Sequence, residues 1–314
     1  MNLAHIHLLL NHFPTIGFAV GLCLYFVALA GKSDELKRAS FVIFFVIAVL
    51  AIPTYVSGNA AEETLCPPGD TGHVCPPGVS VARIRAHEDT ALLAFVLMEI
   101  TGFMAWIGLW QLRRISKLAN WSLVSVLLLS IVTFVLMARA ANFGGEIRHP
   151  EIQSAEEGTG EGVAKSFGSF VTENAWVWPA SEALHFVGLC VLFTVVLVVD
   201  LRILGVAKSI PFASLYQLLP LGMLGFGINL ITGMFFFVAT PGQYTQNITF
   251  YWKVVLIVLA GINVLYFMLF DEPWTVETGV DAPARSKIIA ASAIVLWVGI
   301  LFCGHMLPFI GNSF

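Results

Sequence analysis

The sequence predicts an all-α integral membrane protein with about eight transmembrane helices, in two four-helix halves, with both termini non-cytoplasmic. Three observations carry this. The 314 residues are 58% hydrophobic and only 11% charged, whereas soluble domains run near half apolar and a quarter charged. Eight apolar segments each approach the roughly 20 residues a helix needs to cross a bilayer. Lys and Arg are also divided unequally between alternate loops.

The apolar segments are 10–30, 39–57, 88–110, 121–141, 180–203, 213–239, 249–270 and 287–308. Pro179 stands at a helix start, where its missing N–H costs nothing. Pro53 and Pro220 lie inside the second and sixth segments and predict kinks. One set of loops holds Lys32, Lys37, Arg38, Arg113, Arg114, Lys117, Arg202, Lys208, Arg285 and Lys287. The other set holds Arg83, Arg85, Arg139, Arg148 and Lys165, with Lys253 at a helix edge. Lys and Arg concentrate on the cytoplasmic side, so the first set faces the cytoplasm of a bacterial inner membrane. Val27-Ala28-Leu29-Ala30 looks like a signal cleavage site, but no Lys or Arg precedes it as a secretory signal requires. The expectation is an uncleaved first helix, exported N-terminus first.

The loop at 142–178 is rich in Gly and Glu (Glu156-Glu157-Gly158-Thr159-Gly160-Glu161-Gly162). It sets the expected domains: 1–150, a four-helix membrane domain with an external loop; 151–175, an acidic linker; and 176–314, a second four-helix domain. His12-Phe13 and His185-Phe186, each about 20 residues before Gly31 and Gly205, hint at a parallel repeat. A formal net charge of -4 with no basic block excludes a nucleic-acid partner.

Cys23, Cys190 and Cys303 fall in apolar runs, where a thiol packs as a small residue. Cys66 and Cys75 share the mirrored frame Cys66-Pro67-Pro68-Gly69 and Cys75-Pro76-Pro77-Gly78 in a polar loop. They read as a disulfide in an oxidising compartment, in agreement with the charge distribution. A zinc site at Cys66, His73 and Cys75 is the alternative. No C-x-x-C-H motif is present, so no c-type haem is attached.

None of the eight histidines falls on the expected cytoplasmic side. At 1.5 Å per residue, His12 stands roughly 28 Å above Gly31, His185 roughly 26 Å above Arg202, and His305 roughly 27 Å above Lys287. His87 starts the third segment and His149 follows the fourth. One leaflet therefore collects histidines from five helix ends. A single interfacial histidine is explained by a hydrogen bond to water or a carbonyl. Five at one level point to a cofactor, because ionisable groups at that depth are costly and imidazole is the commonest metal ligand. Haem b between histidines of neighbouring helices uses such an arrangement.

The expected axial pairs are His12 with His87 and His185 with His305, with His7 and His149 able to form or replace a pair. No helix carries two histidines a dozen or more residues apart, so haems stacked across the bilayer are not expected. Arg83, Arg85, Arg139 and Arg148 share the outer level. They match haem propionates, or equally salt bridges to Glu62, Glu63, Glu88, Asp89 or Glu146. Glu99 lies about 18 Å along its helix from His87. It is read as a protonated structural hydrogen-bonder or as part of a proton or quinone site. Asn229 and Asn263 read as interhelical hydrogen bonds.

His7-Leu8-Leu9-Leu10-Asn11-His12-Phe13-Pro14 resembles the "H-x4-HFP" opening of a family of bacterial inner-membrane proteins. Arg85-Ala86-His87-Glu88 and Phe143-Gly144-Gly145-Glu146-Ile147-Arg148-His149-Pro150 fit the same family, over about 150 residues. The resemblance implies a four-helix membrane domain with a redox role near c-type cytochromes. The family has His-Pro at the first position, where His7 is followed by Leu8. Ala183-Leu184-His185-Phe186-Val187-Gly188, Asp200-Leu201-Arg202-Ile203-Leu204-Gly205 and Phe250-Tyr251-Trp252-Lys253 resemble a second bacterial four-helix membrane family.

The expectation from the histidines is thus a b-type cytochrome subunit with one or two haems near the outer face. It would pass electrons between quinol and an extracytoplasmic partner such as a c-type cytochrome. A cofactor-free anchor of a redox complex and a small-molecule or metal transporter are the alternatives.

Overall fold

The computed structural model describes residues 3–69, 72–148, 162–206, 208–270 and 274–310. Among them, eight helical segments are long and apolar enough to cross a membrane, so the chain is an all-α, multi-pass membrane protein. It divides into two compact units, Met1–Phe167 and Gly168–Phe314.

The first unit opens with α1 (Leu3–Leu10) and α2 (His12–Ala30), which together make one span, followed by α3 (Asp34–Leu65). Ser33 caps α3 by accepting from the Leu36 N–H, with Asp34 and Glu35 in the first turn, where carboxylates favour the helix dipole. Pro53 sits within α3 and the helix continues past it. β1 (Pro68–Gly69) and β2 (Gly72–His73) form a short antiparallel ladder. The Cys66–Cys75 disulfide closes this loop, which leaves neither sulfur free for zinc. The His73 side chain lies outside the described residues.

Two long helices follow, α4 (Val81–Ile115) and α5 (Asn120–Arg148). They outrun the expected 88–110 and 121–141 because polar side chains beyond the apolar stretch pair with each other: Arg83 with Glu146, and Asn142 with Glu146 at 2.8 Å. Phe18, Tyr25, Phe41 and Phe44 are fully buried at the heart of the unit. Tyr25 donates to the Leu123 carbonyl, tying α2 to α5. Small residues set the close approaches: a Cβ on Gly102 would collide with Ala48, and one on Gly108 with Phe41. This is how helices associate where lipid supplies no hydrophobic drive.

Helix α6 (Val163–Glu173) crosses the boundary between units; Asp89 accepts from the Ala164 N–H at its start. The second unit contains α7 (Val177–Leu204), α8 (Phe212–Tyr216), α9 (Leu219–Ala239), α10 (Pro241–Thr245), α11 (Ile248–Leu269) and α12 (Ala284–Met306), closed by a 3-10 turn at Leu307–Phe309. Gly205 ends α7 in the left-handed region (φ 96°), where glycine carries no Cβ penalty. Pro220 lies in the first turn of α9, where its ring is tolerated, just after the break at Gln217 and Leu218 that divides α8 from α9 within the span Ser214–Ala239. Arg202 is fully buried, donating to the Ile210 and Glu277 carbonyls and stacking on Phe212 at 4.4 Å. Asn263 joins α11 to α12 through the Ile289 carbonyl and Ser292. Asn229 differs from expectation: its Nδ2 turns back to the Gly225 carbonyl of its own helix.

Candidate functional site

The first unit places two imidazoles in matching seats. His7 on α1 reaches α3, where its Nδ1 lies 3.0 Å from the Thr54 carbonyl oxygen and 3.3 Å from Ser57 Oγ. His87 on α4 reaches α5, where Nδ1 lies 2.8 Å from the Ala140 carbonyl oxygen. A carbonyl only accepts, so each Nδ1 carries the proton and each Nε2 keeps its lone pair. Among the described residues nothing hydrogen-bonds either Nε2.

Each ring also lies against the glycine one turn beyond its carbonyl. A Cβ on Gly58 would stand 3.1 Å from His7 Cε1, and one on Gly144 would stand 3.1 Å from His87 Cε1. The two rings are close enough to interact electrostatically. In each case the partner on Nδ1 fixes the ring and its tautomer.

The expected pair of His12 and His87 is not assembled. The buried stripe of α2 runs through Pro14, Phe18, Leu22 and Tyr25. His12 lies two residues from Pro14, about 200° around the helix, and is exposed. The imidazole that interacts electrostatically with His87 is His7. His185 and His305 are not assembled as a pair for the same reason. Helix α12 buries Trp297, Ile300 and Cys303. His305 again sits two residues off the stripe, exposed, with its ring 5.7 Å from Phe309. His149 and the Arg148 side chain lie outside the described residues.

The arginines separate. Arg83 is buried in the ion pair with Glu146. The exposed Arg139 lies over the Phe143 ring at 5.4 Å. Arg85 is exposed one turn from Glu88 and interacts with it electrostatically. Glu88, Asp89 and Glu62 act electrostatically on Tyr55, which stacks on Phe95 at 4.7 Å. Glu99 is buried in the middle of α4, and its Oε1 has no hydrogen-bond partner among the described residues. No described group of three His, Cys, Asp or Glu side chains is placed to hold a metal ion.

In the second unit His185 lies on the buried stripe of α7, four residues after Ser181. Its Nδ1 is 2.8 Å from Thr232 Oγ1. That hydroxyl donates to the Ile228 carbonyl at 2.7 Å, so it accepts from the His185 Nδ1–H. The ring meets Phe236 edge-on at 5.7 Å, and Phe236 meets Trp178 at 4.9 Å. Lys253 of α11 acts on His185 electrostatically. Tyr244, in α10, has its hydroxyl pushed up to about 12 by burial and by the Glu182 carboxylate.

Thr232, Gly58 and Gly144 are the members that sequence reasoning missed. Gly58 and Gly144 carry no signature apart from the neighbour they admit. No family model, curated protein or solved structure matches the chain.

Proposed function

We propose that this chain is a membrane b-type cytochrome subunit that holds haem b between His7 and His87. The observation that carries the reading is the pair of Nδ1-anchored rings on α1 and α4, each with Nε2 unengaged. The Thr54 and Ala140 carbonyls hold the two rings in one tautomer, and Gly58 and Gly144 leave room for them. Arg85 is the exposed cation on the same turn as His87 and suits a propionate. Bound haem supplies a one-electron iron couple. The chain itself contributes the axial nitrogens, the apolar surroundings and the exclusion of water.

The Lys and Arg distribution supports placing these histidines towards the outer face of a bacterial inner membrane, N-terminus outside. In that setting the subunit passes electrons between quinol and an extracytoplasmic redox partner such as a c-type cytochrome.

The test is a reduced-minus-oxidised spectrum of the purified protein with a pyridine haemochrome assay. A b-type band with stoichiometric haem is expected. A colourless protein sinks the reading and leaves a cofactor-free anchor in its place.

A further inference from the structure

The second unit carries a groove of about 630 Å³ between α11 and α12, running from Leu259 to Tyr266 on one wall and from Ile289 to Leu296 on the other. Leu259, Ile262 and Val295 line it and are exposed apolar residues, so the groove is continuous with the lipid-facing surface of these spans. Its wall also holds Asn263 and Ser292. Asn263 spends its amide hydrogens on the Ile289 carbonyl at 3.0 Å and Ser292 Oγ at 2.9 Å, and the Ser292 hydroxyl donates to the same carbonyl at 2.7 Å. The two side chains therefore offer an occupant no donor. A hydrocarbon chain asks for none.

Helical spacing leads from the groove to a cation. On α12, Ile289, Ser292 and Leu296 form one stripe, and its next member towards the helix start is Arg285. On α11, Leu259, Asn263 and Tyr266 lead in the same way to Phe270. The stripes meet there: the Arg285 guanidinium stands 5.3 Å from the Tyr266 ring centre and 5.1 Å from that of Phe270. Arg285 is exposed and forms no hydrogen bond or ion pair among the described residues. Helix α12 has no carboxylate in its first turn. Asp281, just before the helix, is already shared by Lys208 and Lys287. Aromatic faces steady a guanidinium but supply no acceptor oxygen. The N–H fork at the mouth of the groove thus lacks the oxyanion that its geometry fits.

We propose that the α11–α12 groove binds one anionic phospholipid. Its phosphate accepts a bidentate pair of hydrogen bonds from Arg285, and one acyl chain lies along Leu259, Ile262 and Val295. A zwitterionic lipid carries its own ammonium beside the phosphate, so a headgroup of net negative charge gains more from Arg285. The groove runs about 10 Å along each helix, within the roughly 15 Å of hydrocarbon in one leaflet. The Lys and Arg distribution supports a place in the cytoplasmic leaflet. The site belongs to the second unit and stands apart from the haem reading.

The test is native mass spectrometry of the full chain, released from detergent with dioleoylphosphatidylglycerol or dioleoylphosphatidylcholine added at equal concentration. One phosphatidylglycerol is expected to stay bound, at least about tenfold tighter than phosphatidylcholine, the weight of one charge-assisted hydrogen bond. Arg285→Gln is expected to bring the two lipids within about threefold of each other. Val295→Phe, which fills the groove away from the headgroup, is expected to weaken retention of phosphatidylglycerol. Equal retention of the two lipids by the parent, or no retention at all, overturns the site without recourse to any variant. An unchanged preference in Arg285→Gln, or unchanged retention in Val295→Phe, overturns it as well. Displacement of the lipid by an equal concentration of inorganic phosphate would assign Arg285 to a soluble anion. A dimer that Val295→Phe dissociates would give the groove to a second copy of the chain, and either result sinks the lipid site.

Discussion

His87 donates its Nδ1 proton to the carbonyl oxygen of Ala140 at 2.8 Å, and the same ring lies over Gly144, one turn further along α5. The bond turns His87 inward and leaves Nε2 as its only free nitrogen. His7 repeats the arrangement on α3, with Thr54 and Gly58.

The histidines are therefore separable by mutation. His7→Ala and His87→Ala are each expected to abolish the b-type spectrum, and His12→Ala to leave haem content at the parent level. The pyridine haemochrome assay on purified variants decides this. Loss of haem from His12→Ala with retention in His7→Ala would reverse the ligand assignment.

Replacing the seat glycines tests geometry without touching a ligand. In Gly144→Ala the new methyl stands 3.1 Å from His87 Cε1 and 3.2 Å from Nδ1, tighter than ordinary contact. The ring must move by a few tenths of an ångström. Gly58→Ala does the same to His7. Both are expected to lower haem occupancy or shift the midpoint potential. Gly233→Ala, at 3.7 Å from His185, is expected to change neither. Identical spectroelectrochemical traces for all three would count against the seats.

The Arg83–Glu146 pair is buried on both sides. Arg83→Met leaves the Glu146 carboxylate in an apolar setting and is expected to destabilise the first unit by about 3–5 kcal/mol. Adding Glu146→Leu should restore much of that loss, because the uncompensated charge goes with it. Thermal melting in detergent of the single and double variants measures the difference. A single variant as stable as the parent would show that the pair carries little.

Asp281 accepts from Lys208 and Lys287 at 2.7 and 2.8 Å, joining the segment after α7 to the start of α12. These hydrogen bonds, Lys208 first, hold its carboxyl down from 3.8 to about 2. Because the folded value is the lower one, the clamp is complete above pH 3.8 and is lost as pH falls through about 2. Hydrogen exchange across 277–287 should stay slow at pH 5 and rise near pH 2. Asp281→Asn should show the faster exchange already at pH 5.

The Cys66–Cys75 disulfide tests orientation. In intact cells, a membrane-impermeant maleimide is expected to label this pair only after treatment with an impermeant reductant. Labelling that needs permeabilised cells would put the loop, and with it the histidine level, on the cytoplasmic side.

Eight spans and their rough limits were legible in the sequence, because apolar length is a property of the chain alone. The direction each side chain faces was not. In a soluble helix a polar face opposite an apolar stripe reveals the inward side. Here the inward and lipid-facing sides are both apolar, so the stripe is invisible. His12, His87, His185 and His305 look alike in the sequence, each near the end of an apolar segment. Packing decides between them: Pro14, Phe18 and Tyr25 turn His12 outward, and Trp297, Ile300 and Cys303 turn His305 outward. Partners behave the same way. The His12-Phe13 and His185-Phe186 echo pointed to equivalent residues, but His7 is the ring anchored to the next span as His185 is. Chain length and composition determine what crosses a bilayer. Only tertiary contacts decide which histidine meets a carbonyl, because that depends on rotation about a helix axis and on a glycine in another helix.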